Sequence, residues 1–313
     1  MFSAMDNSSV AKHIYIYSPS GAVRDRAAFR RGVKRLQALG HTVEIDVDAL
    51  RSATRFAGDD ATRIAAIGRA AASGADVALI SRGGYGLTRI LDQIPYKAVA
   101  KAIHKGTQFV GISDFTAFQM ALFAKTGAVS WAGPALCEGF GAQPEPDDIM
   151  EACFDDMLVG QGEGAGWRQP IPVAQAQHTT NARLWGGNLA VLVSLLGTPY
   201  WPDIRNGILF LEDVSEPPYR VERMLTQLLH AGVLAKQKAV LLGQFTEYKL
   251  TAHDRGFNLK SVVRWLQGKV GVPVITNLPY GHVQTKVLLP FGAPVDLVCE
   301  GRDVLLAWGH LPR

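Results

Sequence analysis

Between His13 and Ala124 short apolar runs alternate with helix-patterned stretches, and few folds satisfy that alternation. His13-Ile14-Tyr15-Ile16-Tyr17 is β-branched and aromatic and stops at Ser18-Pro19-Ser20-Gly21. Arg24 to Leu39 follows with Phe29, Val33, Leu36 and Leu39 at helical spacing, and Gly40 stands where a helix-terminating glycine belongs. Thr42–Val47 reads as a second strand, then Asp59 or Asp60 can cap a helix over Ala61–Ser73 that Gly74 ends. Asp76–Ser81 is a third strand running into Arg82-Gly83-Gly84-Tyr85-Gly86, a further helix follows, and Thr107–Val110 is the fourth strand. Strands separated by helices require a parallel sheet covered on both faces, whose ligands gather at the carboxyl ends of the strands. Three Gly- or Ser-bearing loops fall at such ends: Ser18–Gly21, Arg82–Gly86 and Gly111–Asp114.

From Glu138 to Pro172 the pattern weakens. Gln143–Pro146 and Gly160–Gly166 read as loops, and the domain boundary is expected near residues 160–175, dividing the chain into 1–165 and 166–313. In the second half, Leu184-Trp185-Gly186-Gly187-Asn188 leads into a helix over Leu189–Leu196, closed by Gly197. Strands are expected over Gly207–Asp213, Ala239–Phe245 and Pro273–Asn277, with helices over Tyr219–Ala231 and Leu259–Gly268 between them. Short strands around Gly292 and Gly301 give the tail a β-rich character. The expected architecture is therefore α/β: an N-terminal parallel-sheet domain followed by a smaller mixed α/β domain.

A formal charge of +4 over 313 residues, without a Lys/Arg run or aromatic–basic interleaving, argues against nucleic acid as a partner. Cys137, Cys153 and Cys299 are far apart and form no CxxC or Cys/His spacing, so reduced structural thiols are expected. No His, Asp and Glu set has zinc-ligand spacing, and no metal or cofactor is predicted. Met1 to His13 is polar and lacks an apolar export core, and no apolar stretch has membrane-spanning length, which leads to the expectation of a cytoplasmic protein.

Ser113, Glu212 and His282 each follow a short apolar strand, on a loop at its carboxyl end. A serine hydroxyl is a weak nucleophile at neutral pH and needs a base within reach. Histidine titrates in the useful range, and a carboxylate can fix its tautomer. Spacing alone leaves the alternatives open. Ser113 or Asp114 can simply cap the following helix, and Asp213 and Glu216 compete with Glu212 for the role of acid. The segment Gly-Ile-Ser-Asp also lacks the second glycine of a Gly-x-Ser-x-Gly elbow. The glycines at 83, 84 and 86 can expose backbone N–H groups to an anion or serve turn geometry alone. No phosphate-loop signature supports a nucleotide there. Trp185 before two glycines and Asn188 is either a substrate platform or a buried ring against a tight turn.

Six segments occur together and in order: Arg-Gly-Gly-Tyr-Gly at 82–86, Gly-Ile-Ser-Asp-Phe-Thr at 111–116, Leu-Trp-Gly-Gly-Asn-Leu at 184–189, Phe-Leu-Glu-Asp at 210–213, Pro-Tyr-Arg-Val-Glu-Arg at 218–223 and Gly-His at 281–282. The set resembles the LD-carboxypeptidases, serine peptidases that recycle murein. The resemblance runs from about Ile14 to about Trp308. It implies a Ser113–Glu212–His282 triad, with an oxyanion hole from the backbone N–H groups of Gly84 and Asp114 and with the nucleophile on a Rossmann-like N-terminal domain. It also implies removal of D-alanine from a murein tetrapeptide, and often a homodimer. Arg82, Tyr85, Arg183, Trp185 and Asn188 are the candidate substrate contacts, the two arginines for the substrate carboxylate. A related branch, the microcin-immunity peptidases, cleaves peptidyl nucleotides and would use Trp185 as a nucleobase platform. A non-catalytic two-domain binding protein and, more weakly, a magnesium-dependent phosphotransferase are the readings from other classes.

Overall fold

A computed structural model describes residues 11–173 and 175–309. Residues 1–10, on which most of the reading of the N-terminus rests, lie outside them.

The alternation of the first half produces β1 (His13–Tyr17), α1 (Arg26–Ala38), β2 (Thr42–Ile45), α2 (Asp60–Ala72), β3 (Val77–Ile80), α3 (Tyr96–His104), β4 (Gln108–Gly111), α4 (Phe115–Thr126) and β5 (Ser130–Ala132). Asp25 caps α1 by accepting from Ala27 and Ala28, and Asp59 rather than Asp60 caps α2. Gly40 and Gly74 take positive φ (92° and 70°) after these helices, a conformation that costs other residues strain. The five strands are parallel in the order β2-β1-β3-β4-β5. The order reverses between β1 and β3, which opens a crevice at their carboxyl ends.

Two elements lie in the stretch where the sequence pattern weakens. α5 (Asp148–Val159) buries Met150, Phe154, Met157 and Leu158 on one face, and Asp147 caps it. β6 (Gly164–Arg168) lies within the glycine-rich stretch. The chain continues through β7 (Gln177–Asn188), α6 (Leu189–Ser194), β8 (Ile208–Val214), α7 (Pro218–His230), β9 (Ala239–Thr246), α8 (Leu259–Lys269) and β10 (Val274–Ile275). It ends with β11 (Leu289–Phe291), β12 (Pro294–Glu300) and β13 (Asp303–Ala307).

The second sheet runs β10-β9-β8-β7-β12-β13-β6, parallel from β7 to β10 and antiparallel from β7 to β6. It is curled. Trp167 of β6 donates its indole N–H to the Thr276 carbonyl at 3.0 Å, and Asn277 Nδ2 donates to the Arg168 carbonyl at 2.8 Å, so its two edge strands meet. β11 leaves this half and pairs antiparallel with β5, completing the first sheet. Between the sheets lies α4. Phe115 through Leu122 are buried without interruption, as a helix packed on all faces requires. Its far end is pinned where Phe123 meets Phe291 edge-on, 6.1 Å between centroids. Among the described residues no helix is long and apolar enough to cross a membrane.

Candidate active site

Ser113 sits between β4 and α4 with φ +69°. Serine is rarely held in this left-handed conformation, which costs about 1–3 kcal/mol and is typical of side chains lifted clear of a strand end. The Arg82–Gly86 loop lies directly against it: a Cβ on Gly83 would fall 2.5 Å from Ser113 Cβ and 2.8 Å from its Oγ. Gly84, the expected oxyanion donor, is in the same loop with φ +116°.

Asp114 does not cap α4 with its side chain. Its buried carboxylate instead accepts from the Leu87 N–H at 2.8 Å and from Ser20 Oγ. One side chain thus ties together the three loops that follow β1, β3 and β4. Burial pushes its pKa up, against the opposing pull of Ser20, the Leu87 and Gly86 N–H groups and the Arg63 charge. Arg63, wholly buried, donates to the Gly86 carbonyl at 2.7 Å and braces the glycine loop from below.

The acid comes from the other sheet, and the histidine from the connection between β10 and β11. Glu212, on β8, is fully buried, and its Oε2 lies 2.7 Å from His282 Nδ1. An ionised carboxylate only accepts, so the shared proton sits on Nδ1 and leaves Nε2 free to act as a base. Burial pulls the His282 pKa down, but the hydrogen bond and charge of Glu212, with Asp213 and Glu138 adding, outweigh it and the net shift is upward. Two glycines admit this contact. A Cβ on Gly281 would lie 3.3 Å from Glu212 Cβ, and one on Gly243 would lie 2.5 Å from the Tyr280 carbonyl.

The rival acids are occupied elsewhere. Asp213 accepts from Ala190 N and Val214 N, each at 2.8 Å, and from Asn188 Nδ2 at 3.0 Å. Burial and the neighbouring Glu212 charge raise its pKa to about 6. Glu216 pairs with Arg220 at 2.8 Å.

A short chain of bonds links the two sides. Thr116, in the first turn of α4, accepts the Asn188 N–H at 3.0 Å; Asn188 Nδ2 reaches Glu212 Oε1 at 3.3 Å; and Glu212 holds His282. Gly187 makes this approach possible, since a Cβ there would lie 2.4 Å from Thr116 Oγ1.

The candidate substrate contacts separate. Tyr85 is 45% exposed beside Phe56 and Arg55. Arg82 lies along the glycine loop with its Nε 3.7 Å from Glu138. Arg183 donates to the Gly292 carbonyl at 2.8 Å. Trp185 offers no platform: it is 1% exposed, its indole N–H bonds Gln237 at 2.9 Å, and its ring meets Trp201 edge-on. A ring on the inward face of β7 has the core as its neighbour. Asn188 is likewise buried, and its amide is spent on the two acids and on capping α6. The contact of Gly83 with Ser113, the bond of Ser20 to Asp114 and the bracing role of Asp114 escaped the sequence reasoning, because each joins loops remote in sequence.

Among the described residues no three His, Cys, Asp or Glu side chains converge as metal ligands would. A groove of about 1090 Å³ beside α8, lined by Ile171, Val263 and Val272 among others, includes none of Ser113, Glu212 and His282.

The chain is similar to known proteins over most of its length. The models of the LD-carboxypeptidase N-terminal and C-terminal domains match residues 14–133 and 181–297. A putative carboxypeptidase of Synechocystis is 30% identical over 286 residues, 90% of each chain. The microcin C7 self-immunity protein of Escherichia coli is 25% identical over 256 residues, 73% of each chain. The crystal structure of muramoyltetrapeptide carboxypeptidase from Oxalobacter formigenes superposes with a TM-score of 0.86 at 38% identity, covering 96% of this chain and 100% of that one. With both domain models matched in order and a relative aligned over nine-tenths of its length, this chain belongs to the LD-carboxypeptidase family.

Proposed function

We propose that the protein is a serine LD-carboxypeptidase that removes the terminal D-alanine from murein tetrapeptides, with Ser113 as nucleophile, His282 as general base and Glu212 as the acid that orients it. The observation that carries this reading is the 2.7 Å Glu212–His282 contact, bonded through Asn188 to the helix that follows Ser113. The solved relative named a muramoyltetrapeptide carboxypeptidase supports the substrate.

On this mechanism His282 Nε2 takes the Ser113 proton as Oγ attacks the carbonyl carbon of the diamino acid. The oxyanion is received by the N–H groups of Gly84 and Asp114. As the tetrahedral intermediate collapses, the C–N bond breaks and the imidazolium protonates the departing amine of D-alanine. Water, deprotonated by the same imidazole, then attacks the acyl-enzyme, and Ser113 recovers its proton. Glu212 holds the reactive tautomer and stabilises the imidazolium throughout.

The family resemblance further supports a homodimer acting in the cytoplasm on imported muropeptide, with the chain divided near residue 165 into nucleophile and acid–base domains. A microcin-immunity-like action on peptidyl nucleotides has less support in this chain, because the ring that would stack a base, Trp185, is buried. The deciding measurement is free D-alanine released from a murein tetrapeptide with EDTA present, wild type beside Ser113→Ala. Release by wild type alone is expected. Equal release by both removes Ser113 from the mechanism, and loss of activity with EDTA removes the serine-peptidase class. Turnover of a peptidyl sulfamoyl adenosine without D-alanine release would favour the nucleotide-directed reading.

A further inference from the structure

A carboxypeptidase must hold the free carboxylate at the end of its substrate, and neither arginine singled out in the sequence is well suited to it. Arg183 is committed to the Gly292 carbonyl, and Arg82 faces the half-exposed carboxylate of Glu138. Lys286 has a different character. It is 4% exposed, a burial that lysine seldom reaches without a partner. Among the described residues no hydrogen bond or ion pair holds its ammonium. Nor is its Nζ among the sealed, unpartnered polar atoms of the interior, which include Tyr17 Oη and His41 Nε2. Glu212 of the site acts on it electrostatically. Burial pulls its pKa down, while Glu138, Asp147 and Glu212 favour the charged form.

Position adds a chemical constraint. Lys286 is four residues after His282, on the same connection between Gly281 and β11. Thr285 anchors that connection through Asp147, and Val287 N–H bonds the Pro279 carbonyl at 2.8 Å. On the proposed mechanism His282 gives its proton to the leaving nitrogen, and in an α-amino acid the carboxylate is separated from that nitrogen by a single carbon. The cation that receives the carboxylate therefore has to act close to that nitrogen, and Lys286 shares its connection with the histidine that protonates it. Glu138, the acid that would otherwise compete for Lys286, has Arg82 beside it.

We propose that the Lys286 ammonium binds the free carboxylate of the substrate's terminal residue and so confers carboxypeptidase rather than endopeptidase specificity. The proposal rests on the peptidase reading above. It makes Lys286 a specificity-determining residue, with no part in proton transfer.

The test compares kcat/KM for a murein tetrapeptide ending in free D-alanine with that for the same peptide ending in D-alaninamide, using wild type, Lys286→Met and Lys286→Arg. Methionine keeps the length and bulk of the stem and removes the charge. Wild type should prefer the free acid. Lys286→Met should lower that preference on the order of 10- to 100-fold, chiefly through KM, and Lys286→Arg should restore part of it. Labelling of Ser113 by a fluorophosphonate, which has no carboxylate, reports whether the variant's site is assembled. A variant that labels normally yet keeps the wild-type acid-to-amide ratio overturns the proposal. So does one that loses both substrates equally, since that marks a structural or general electrostatic role. If wild type cleaves neither peptide, the peptidase reading itself fails and this proposal falls with it.

Discussion

At the scale of single residues, the strained Ser113 separates two roles that usually travel together. Its φ of +69° penalises any side chain but not glycine. Ser113→Ala and Ser113→Gly should both lose at least about a thousandfold in kcat. Ser113→Gly should also be the more stable of the two by about 1 kcal/mol, read from urea midpoints. Equal stabilities would mean that the backbone relaxes there. Glu212 offers a second test, through pH. Its hydrogen bond and charge raise the His282 pKa against the opposing effect of burial. A general base works deprotonated, so kcat/KM should rise with pH through a limb lying above ordinary imidazole. In Glu212→Gln burial is left to dominate, so the limb should move to lower pH, while the plateau falls on the order of a hundred- to ten-thousandfold because the tautomer is no longer fixed. A limb that stays in place would detach it from His282. Ser113, Glu212 and His282 stood out in the sequence because each follows a short apolar run, a signal carried by a few adjacent residues, although Glu212 proves to lie within β8, not on a loop after it, and His282 well past the end of β10. The task of Asp114 was not, since its partners Ser20 and Leu87 are 94 and 27 residues away. Trp185 stayed open for a related reason: an aromatic beside two glycines reads the same whether its face meets a ligand or, as here, Gln237 and Trp201.

At the scale of elements, the site is a junction between one helix and one strand end. α4 is buried on every face, and its first turn touches β7 only because residue 187 has no side chain. Gly187 also has φ +128°. Gly187→Ala should therefore force Thr116 away from Asn188 and strain the backbone as well, a loss of about 2–4 kcal/mol. Because that contact leads to Glu212, kcat should fall with stability, and Thr116→Ser, which keeps the hydroxyl, should leave both nearly unchanged. If Gly187→Ala melts lower but turns over normally, the link through Asn188 is structural only. The regular elements were largely legible, since α1, α2, α7 and α8 carry helical spacing with caps or terminating glycines and the central strands are continuous apolar runs. α5 and β6 were not. Two prolines and acidic residues precede α5 and obscure its apolar spacing. β6 contains Gly164 and Gly166, which carry no β signal, and Gly164 is required because a Cβ would lie 2.6 Å from the Leu306 carbonyl.

At the scale of the whole molecule, the order of elements along the chain and their order in space part company. β11 follows the residues that supply Glu212 and His282, yet it is an edge of the first sheet, beside β5. Nothing in Leu289-Pro290-Phe291 announces this, because a three-residue strand containing proline has no periodicity to read, and its partner lies far back in the chain. The consequence is that a fragment ending at residue 165 would keep five parallel strands but lose the cover of β5. It would also expose the face of α4 that packs on β7 and α6, where Thr116 meets Asn188 and Phe123 meets Phe291. An apolar helix bared on one side and an open strand edge favour association over folding. The fragment 1–165 should therefore aggregate or show no cooperative melt, whereas the full chain should unfold in a single transition by both calorimetry and near-ultraviolet circular dichroism. Appending residues 284–293 through a flexible linker should recover part of the fragment's solubility by returning β11 to β5, and a Phe291→Asp change in the appended segment should cancel that gain. A fragment 1–165 that is monomeric and melts cooperatively by itself would show that the two sheets are energetically independent. In that case the nucleophile and the acid–base pair would be held together by the site's own contacts through Thr116 and Asn188, and separately expressed halves should regain D-alanine release when mixed.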